Sequence, residues 1–235
     1  MRIIKLTESQ YDDILNDPLF DDNHEFSFDT LKTMDWKNYQ ELDAYCQSCG
    51  LQRIGSGFGR IVYALDDRMV LKIGKGGRDQ NDAEVFAYRN MSEDLKDFVP
   101  VIFDYDKSNM KPLWIISEQV LPASYADFQK LLGIDFGSYQ SQQDIKDMNN
   151  DLKTYEKYPG KKTNESINLM AFLEDYGEGD LSLYTYELKH NEWLGKLVKM
   201  LNHGFVSYYE LENIENWGLV HRNGKTSIVI LDTGM

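Results

Sequence analysis

Between residues 51 and 121 the chain reads as short β-branched and aromatic runs at 60–64, 69–73, 99–105 and 113–119, interrupted by one helix over 79–91. An order of strand, strand, helix, strand, strand demands a sheet with a helix packed on it. It excludes a helical bundle or an all-β sandwich for this stretch. The helix is expected to turn Ala83, Phe86, Ala87 and Asn90 to one side. Residues 1–50 read as a helical lead-in: Thr7-Glu8-Ser9-Gln10 has the capping-box pattern, Asp17-Pro18 ends a first helix, and Gly50 closes a second. Beyond Pro122 the pattern turns mainly helical. Tyr125, Phe128, Leu131 and Leu132 repeat at helical spacing up to Gly133, and Ile145, Met148, Leu152 and Tyr155 do so up to Pro159-Gly160. Asn191 is a cap for a helix bearing Trp193, Leu194, Leu197, Val198 and Leu201, which stops at Gly204. A hairpin closes the chain, its runs 217–221 and 227–231 flanking Arg222-Asn223-Gly224-Lys225, because Asn-Gly supplies the left-handed backbone of a two-residue turn.

The 235 residues suit one large domain or two small lobes, and the 13% aromatic content excludes a disordered chain. The net charge of −14 argues against generic nucleic-acid binding, since an acidic surface repels phosphate. It leaves room for a local basic site, a basic partner, or mimicry of DNA by the acidic face itself. No apolar run reaches the roughly 20 residues a membrane helix needs, and Met1–Glu8 lacks a signal-peptide core, so the expectation is a cytoplasmic protein. Cys46 and Cys49 form one CxxC without a His at finger spacing; they read as two ordinary helix cysteines rather than a metal or redox pair.

GxG pairs occur in three places, at Gly55/Gly57 (running on to Gly59), Gly74/Gly76 and Gly177/Gly179, where chance supplies about one. Only the first leads into a strand in the position of a phosphate-covering hairpin. Gly160-Lys161-Lys162-Thr163 is not a P-loop, because Tyr155 stands where the first glycine belongs and an extra Lys intervenes. The features after Gly55 give that pair its weight. Gly55-Ser56-Gly57-Phe58-Gly59-Arg60-Ile61-Val62-Tyr63 is followed by Val70-Leu71-Lys72-Ile73, by a helix bearing Glu84, and by Glu118-Gln119-Val120-Leu121. Asn216-Trp217-Gly218 and Ile230-Leu231-Asp232-Thr233-Gly234 come last.

This order resembles the protein-kinase-like fold, and more narrowly the small kinase-like proteins of tailed bacteriophages. The resemblance covers 51–235 apart from a divergent stretch between Gly133 and Asn191. It implies an α+β, two-lobed fold with three parts: a helical N-terminal extension (1–50), an N-lobe (51–121), and a truncated, mainly helical C-lobe (122–235). It also implies an ATP and Mg²⁺ site. Gly55, Gly57 and Val62 would form the loop and adenine roof, Lys72 would meet the phosphates and Glu84 would hold Lys72. Glu118 to Val120 would form the hinge, and Asn216 and Asp232 the metal ligands.

The chain departs from the family in three places. Arg60 replaces the loop's third glycine and brings a guanidinium beside the phosphates. The residue five before Asn216 is Leu211, which cannot serve as the base that the family's Asp provides; Glu210 and Glu212 are the substitutes. Only Met235 follows Asp232-Thr233-Gly234, where a protein kinase would continue into an activation segment. Three functions remain open. One is a pseudokinase-type phage protein that binds a nucleotide and acts on a host or viral protein partner in the host cytoplasm. The second is an active, atypical phosphotransferase or nucleotidyltransferase using Glu210 or Glu212. The third is an acidic interaction or inhibitor protein built around Glu174-Asp175-Tyr176-Gly177-Glu178-Gly179-Asp180, without a nucleotide site.

Overall fold

The computed structural model describes residues 25–76, 80–133, 190–211 and 213–231. The helices expected from Thr7 and over 145–155 lie outside the described residues, as do Glu212, Asp232 and the acidic stretch 174–180. The chain is a mixed α/β protein with antiparallel sheets. It divides into two compact units, one of Met1–Phe86 and Val101–Gln119, the other of Ala87–Pro100 and Val120–Met235.

Among the described residues, the first unit opens with α1 (Phe28–Thr33) and α2 (Tyr39–Ser48). Each helix starts where a polar side chain satisfies an orphan amide: Ser27 Oγ accepts from Thr30 N at 3.3 Å and Asn38 Oδ1 accepts from Glu41 N at 3.0 Å. α2 ends at Cys49, and Gly50 follows in the left-handed conformation at φ 68°, the stop expected from the sequence. Five strands follow: β1 (Gln52–Ser56), β2 (Arg60–Ala64), β3 (Met69–Gly74), β4 (Ile102–Tyr105) and β5 (Trp114–Glu118). They form one antiparallel sheet in the order β1-β2-β3-β5-β4.

The register of this sheet sorts its side chains. Ile61 opposes Ile73, Tyr63 opposes Leu71, and Leu71 in turn opposes Ile116, so these share one face. That face forms a core with Leu31, Leu42, Tyr45 and Cys46 of the two helices. Each such buried side chain contributes about 1.5–3 kcal/mol, and this is what holds the lead-in helices to the sheet. Tyr63 adds a polar tie by donating its hydroxyl to Asp43 Oδ1 at 2.6 Å. Alternation puts Val62 and Lys72, directly opposed in the ladder, on the other face. Between β4 and β5 the buried Asp106 carboxylate knits the connection, accepting from Ser108, Asn109 and Leu113 N.

The helix between β3 and β4 is α3 (Gln80–Asn90). Its inward side differs from the sequence expectation: Asn81, Glu84, Val85 and Ala87 are buried, whereas Phe86 is 61% exposed. The apolar count misled because two polar residues occupy the inward positions. Asn81 Nδ2 donates to the carbonyls of Pro112 and Leu113 at 3.1 and 3.0 Å, and Glu84 meets cations described below.

The second unit contains α4 (Glu93–Lys96), β6 (Leu121–Pro122), α5 (Tyr125–Leu132), α6 (Glu192–Asn202) and α7 (Tyr208–Leu211). A 3₁₀ turn (Ile214–Asn216) leads into the hairpin β7 (Trp217–Arg222) and β8 (Lys225–Ile230). Asn223 and Gly224 turn it at φ 52° and 75°, as the Asn-Gly signal requires. Asn191 caps α6 by accepting from Leu194 N at 3.1 Å, and Gly133 ends α5 at φ 71°. The core centres on Trp217, whose ring lies 5.0 Å edge-on from Phe128 and 5.9 Å from Trp193.

Candidate functional site

In the first unit the candidate residues converge on Glu84. Lys72, in the middle of β3, and Glu84, one turn into α3, are both buried, and Lys72 Nζ donates to Glu84 Oε1 at 2.6 Å. Arg60, at the start of β2, donates from Nη1 to the second oxygen, Glu84 Oε2. One carboxylate therefore carries two cations. Burial pushes the Glu84 carboxyl up, but Lys72 and Arg60 more than offset this and hold it below the ordinary glutamate range. Two basic side chains thus gather on one buried carboxylate within an acidic chain. Sequence reasoning singled out Arg60 as a phosphate contact and missed its bond to Glu84. The available signal was that Arg60 and Val62, two apart on one strand, must share the face of Lys72.

The glycine hairpin joins β1 to β2. A Cβ at Gly55 would meet Val62 Cβ at 3.7 Å, so loop and roof residue are in ordinary contact. Gly57 N donates to the Arg60 carbonyl at 3.0 Å, closing the turn, so this amide serves the hairpin itself. Outside the turn, Lys75 binds the hairpin by three bonds: its N–H to Gly59 O, and its ammonium to Gly57 O and Ser56 Oγ, all at 2.8 Å. Arg53 Nη2 donates to the same Ser56 Oγ at 2.7 Å. Neither Lys75 nor Arg53 figured in the sequence reading.

The hinge expectation is narrowed. Glu118 N donates to Val101 O at 2.8 Å and Gln119 N to Arg68 O at 2.7 Å, so these two amides serve the sheet and its connections. The Glu118 carboxylate accepts from Val101 N at 3.2 Å. Val120 packs on β7, where a Cβ on Gly218 would fall 2.1 Å from Val120 Cγ1 and 3.0 Å from Leu121 O. Only glycine fits there.

In the second unit Asn216 Nδ2 donates to the Glu210 carbonyl at 3.0 Å and to Glu210 Oε2 at 2.6 Å. The short helix α7 and the 3₁₀ turn that follows it bring these groups together. Trp217 Nε1 anchors the link by donating to Leu211 O at 2.7 Å, and Leu211 itself is fully buried. Leu211 is thus a core residue, and the carboxylate beside the Asn is the one before it. The Asn216 carbonyl oxygen and the Glu210 carboxylate are hard donors of the kind Mg²⁺ takes. Among the described residues, no three His, Cys, Asp or Glu side chains gather as a metal site. Cys46 is buried in α2 and burial raises its thiol pKa, so it behaves as a small apolar residue. Among the described residues no helix is long and apolar enough to cross a membrane.

No protein-family model and no curated protein matches the chain. Among solved structures, the aminoglycoside phosphotransferase APH(2″)-IIia in its GDP and kanamycin complex is 11% identical, at a TM-score of 0.30. The match covers 78% of this chain and 66% of that one, just under two thirds of its length. An ethanolamine kinase from Plasmodium vivax is 13% identical at a TM-score of 0.32, over 99% of this chain and 70% of that one.

Proposed function

We propose that the chain is a kinase-like nucleotide-binding protein whose first unit holds the phosphates of ATP. The observation that carries this is the Glu84 carboxylate shared by Lys72 and Arg60 on the sheet face beneath the glycine hairpin. An Arg and a Lys gathered on one buried carboxylate are the side chains that make charge-assisted bonds to a phosphate. Val62 gives an apolar surface for the base, and Val120 supplies the hinge amide. Mg²⁺, when bound, would neutralise phosphate oxygens, with Asn216 Oδ1 and Asp232 as its holders. Leu211 at the position of the family's base points to impaired transfer, and to a protein that acts by binding a host or viral partner.

A second reading is favoured by one contact. The bond from Asn216 to Glu210 Oε2 returns a carboxylate to the Asn despite the extra residue, which suits Glu210 as the base of an atypical transferase.

Thermal unfolding with and without ATP and Mg²⁺ tests the first reading. Ligand at about 100 times Kd stabilises by about 2.7 kcal/mol in the wild type, and Lys72→Met loses the effect. Equal stabilisation of both proteins removes the site. Transfer of labelled phosphate or AMP tests the second. Activity that falls about 100-fold or more in Glu210→Gln and survives in Glu212→Gln supports Glu210 as base. An absence of transfer leaves the binding role.

A further inference from the structure

We infer that Lys75 is a positioning residue for phosphate recognition, acting through the glycine hairpin from the side opposite Lys72; this rests on the phosphate-site reading above. The register fixes the sides. Ser56 opposes Ile61, whose side chain lies in the core under α1 and α2, so Ser56 projects toward the helix-covered face. Lys72 opposes Val62 on the other face. Lys75 Nζ reaches Ser56 Oγ, so its ammonium stands on the helix-covered side of the hairpin.

From there it takes the Gly57 carbonyl at 2.8 Å. In a trans peptide the C=O and the next N–H point in opposite directions. Drawing the Gly57 oxygen to the helix-covered side therefore turns the Phe58 N–H toward the face of Lys72 and Arg60. A carbonyl left facing that cluster would repel a phosphate, whereas an amide attracts one. Lys75 also fixes the far side of the turn through its N–H bond to Gly59 O. Arg53 helps only indirectly, since it holds Ser56 and not the carbonyl. The device is pre-organisation: the orientation of the peptide is set before the anion arrives.

The test uses the whole chain with three ligands and two readouts. Lys75→Met should weaken ATP·Mg²⁺ and inorganic triphosphate by about tenfold, the worth of one well-placed charge-assisted bond. It should leave adenosine binding unchanged. Lys75→Arg should restore most of the loss, and Arg53→Met should cost less than Lys75→Met. In the ligand-free protein, amide exchange over residues 55–60 should rise in Lys75→Met while 69–74 stay protected. Unchanged triphosphate affinity, or an equal loss for adenosine, overturns the inference, and so does unchanged exchange over 55–60. A wild-type chain that binds neither ATP nor triphosphate, with exchange still raised in Lys75→Met, overturns the phosphate site and leaves Lys75 a loop strap.

Discussion

The two units hold their polar groups by different means. In the first, Lys72 and Arg60 stand on neighbouring strands of an antiparallel ladder, and the register alone puts them on one face. In the second, Glu210 and Asn216 stand on short helical turns, held by single hydrogen bonds and by the buried indole of Trp217. A charge cluster placed by a ladder tolerates loss of one core residue nearby. A pair placed by short turns depends on the residue beneath it. Mutations should therefore act differently in the two places.

The largest effect is expected at Trp217. Trp217→Phe keeps a ring but loses the bond to Leu211 O, and Trp217→Ala also leaves a cavity, costing about 3–5 kcal/mol. Chemical denaturation followed by exchange protection in each unit should show the loss centred on residues 190–231. A uniform loss across the chain would break the contrast.

Next is Glu84→Gln. This removes the carboxylate that both cations meet, at a cost of about 3–5 kcal/mol, while Arg60→Met, which keeps the Lys72–Glu84 pair, should cost less. Phosphate in the buffer should restore more stability to Glu84→Gln than to wild type. The reverse order of the two variants would show that Arg60 stabilises the unit through a contact other than Glu84.

The same carboxylate sets a pH dependence. Its folded pKa is lowered, so its contribution is present above the unfolded value of about 4.3 and is lost as pH falls through the lower folded value. Wild type should lose stability below about pH 4.3 more steeply than Glu84→Gln. Asp104 is held down in the same way, to about 2: burial pushes it up, but Lys107 and Lys32 outweigh that. The Glu84→Gln protein should accordingly keep a residual acid slope.

The smallest effect is expected at Ser117. Among the described residues its fully buried Oγ has no hydrogen-bond partner. Ser117→Ala should be neutral or stabilising by up to about 1 kcal/mol in equilibrium unfolding. Destabilisation by more than that would reveal a partner for the hydroxyl.

Much of both units was legible where the signals are local. Gly50, Gly133, the Asn191 cap and the Asn223-Gly224 turn each depend on a residue's own backbone preference or on a bond three residues away. The strands at 60–64 and 69–74 follow from side chains that fit a pleated surface. The inward side of α3 was not legible. Periodicity reports an apolar stripe, but Glu84 and Asn81 turn inward only because Lys72, Arg60 and two carbonyls wait there. β6, two residues long, is likewise defined by its partner β7 and has no signature of its own.

The sequence by itself determined the order of β2, β3, α3, β4 and β5, the closing hairpin, and the residue types able to meet a phosphate, but not β1 or α4. Those are properties of near neighbours. Tertiary structure alone decided that Arg60 shares Glu84 with Lys72, that Lys75 takes the Gly57 carbonyl, and that Glu210 rather than Leu211 stands beside Asn216. The Arg60 bond spans 24 positions of chain and the Lys75 bond 18, while Glu210 is only six from Asn216 but is turned toward it by the burial of Leu211. Which buried charge meets which partner depends on how faces pack, because an ion removed from water must find its counter-charge wherever the fold brings one near.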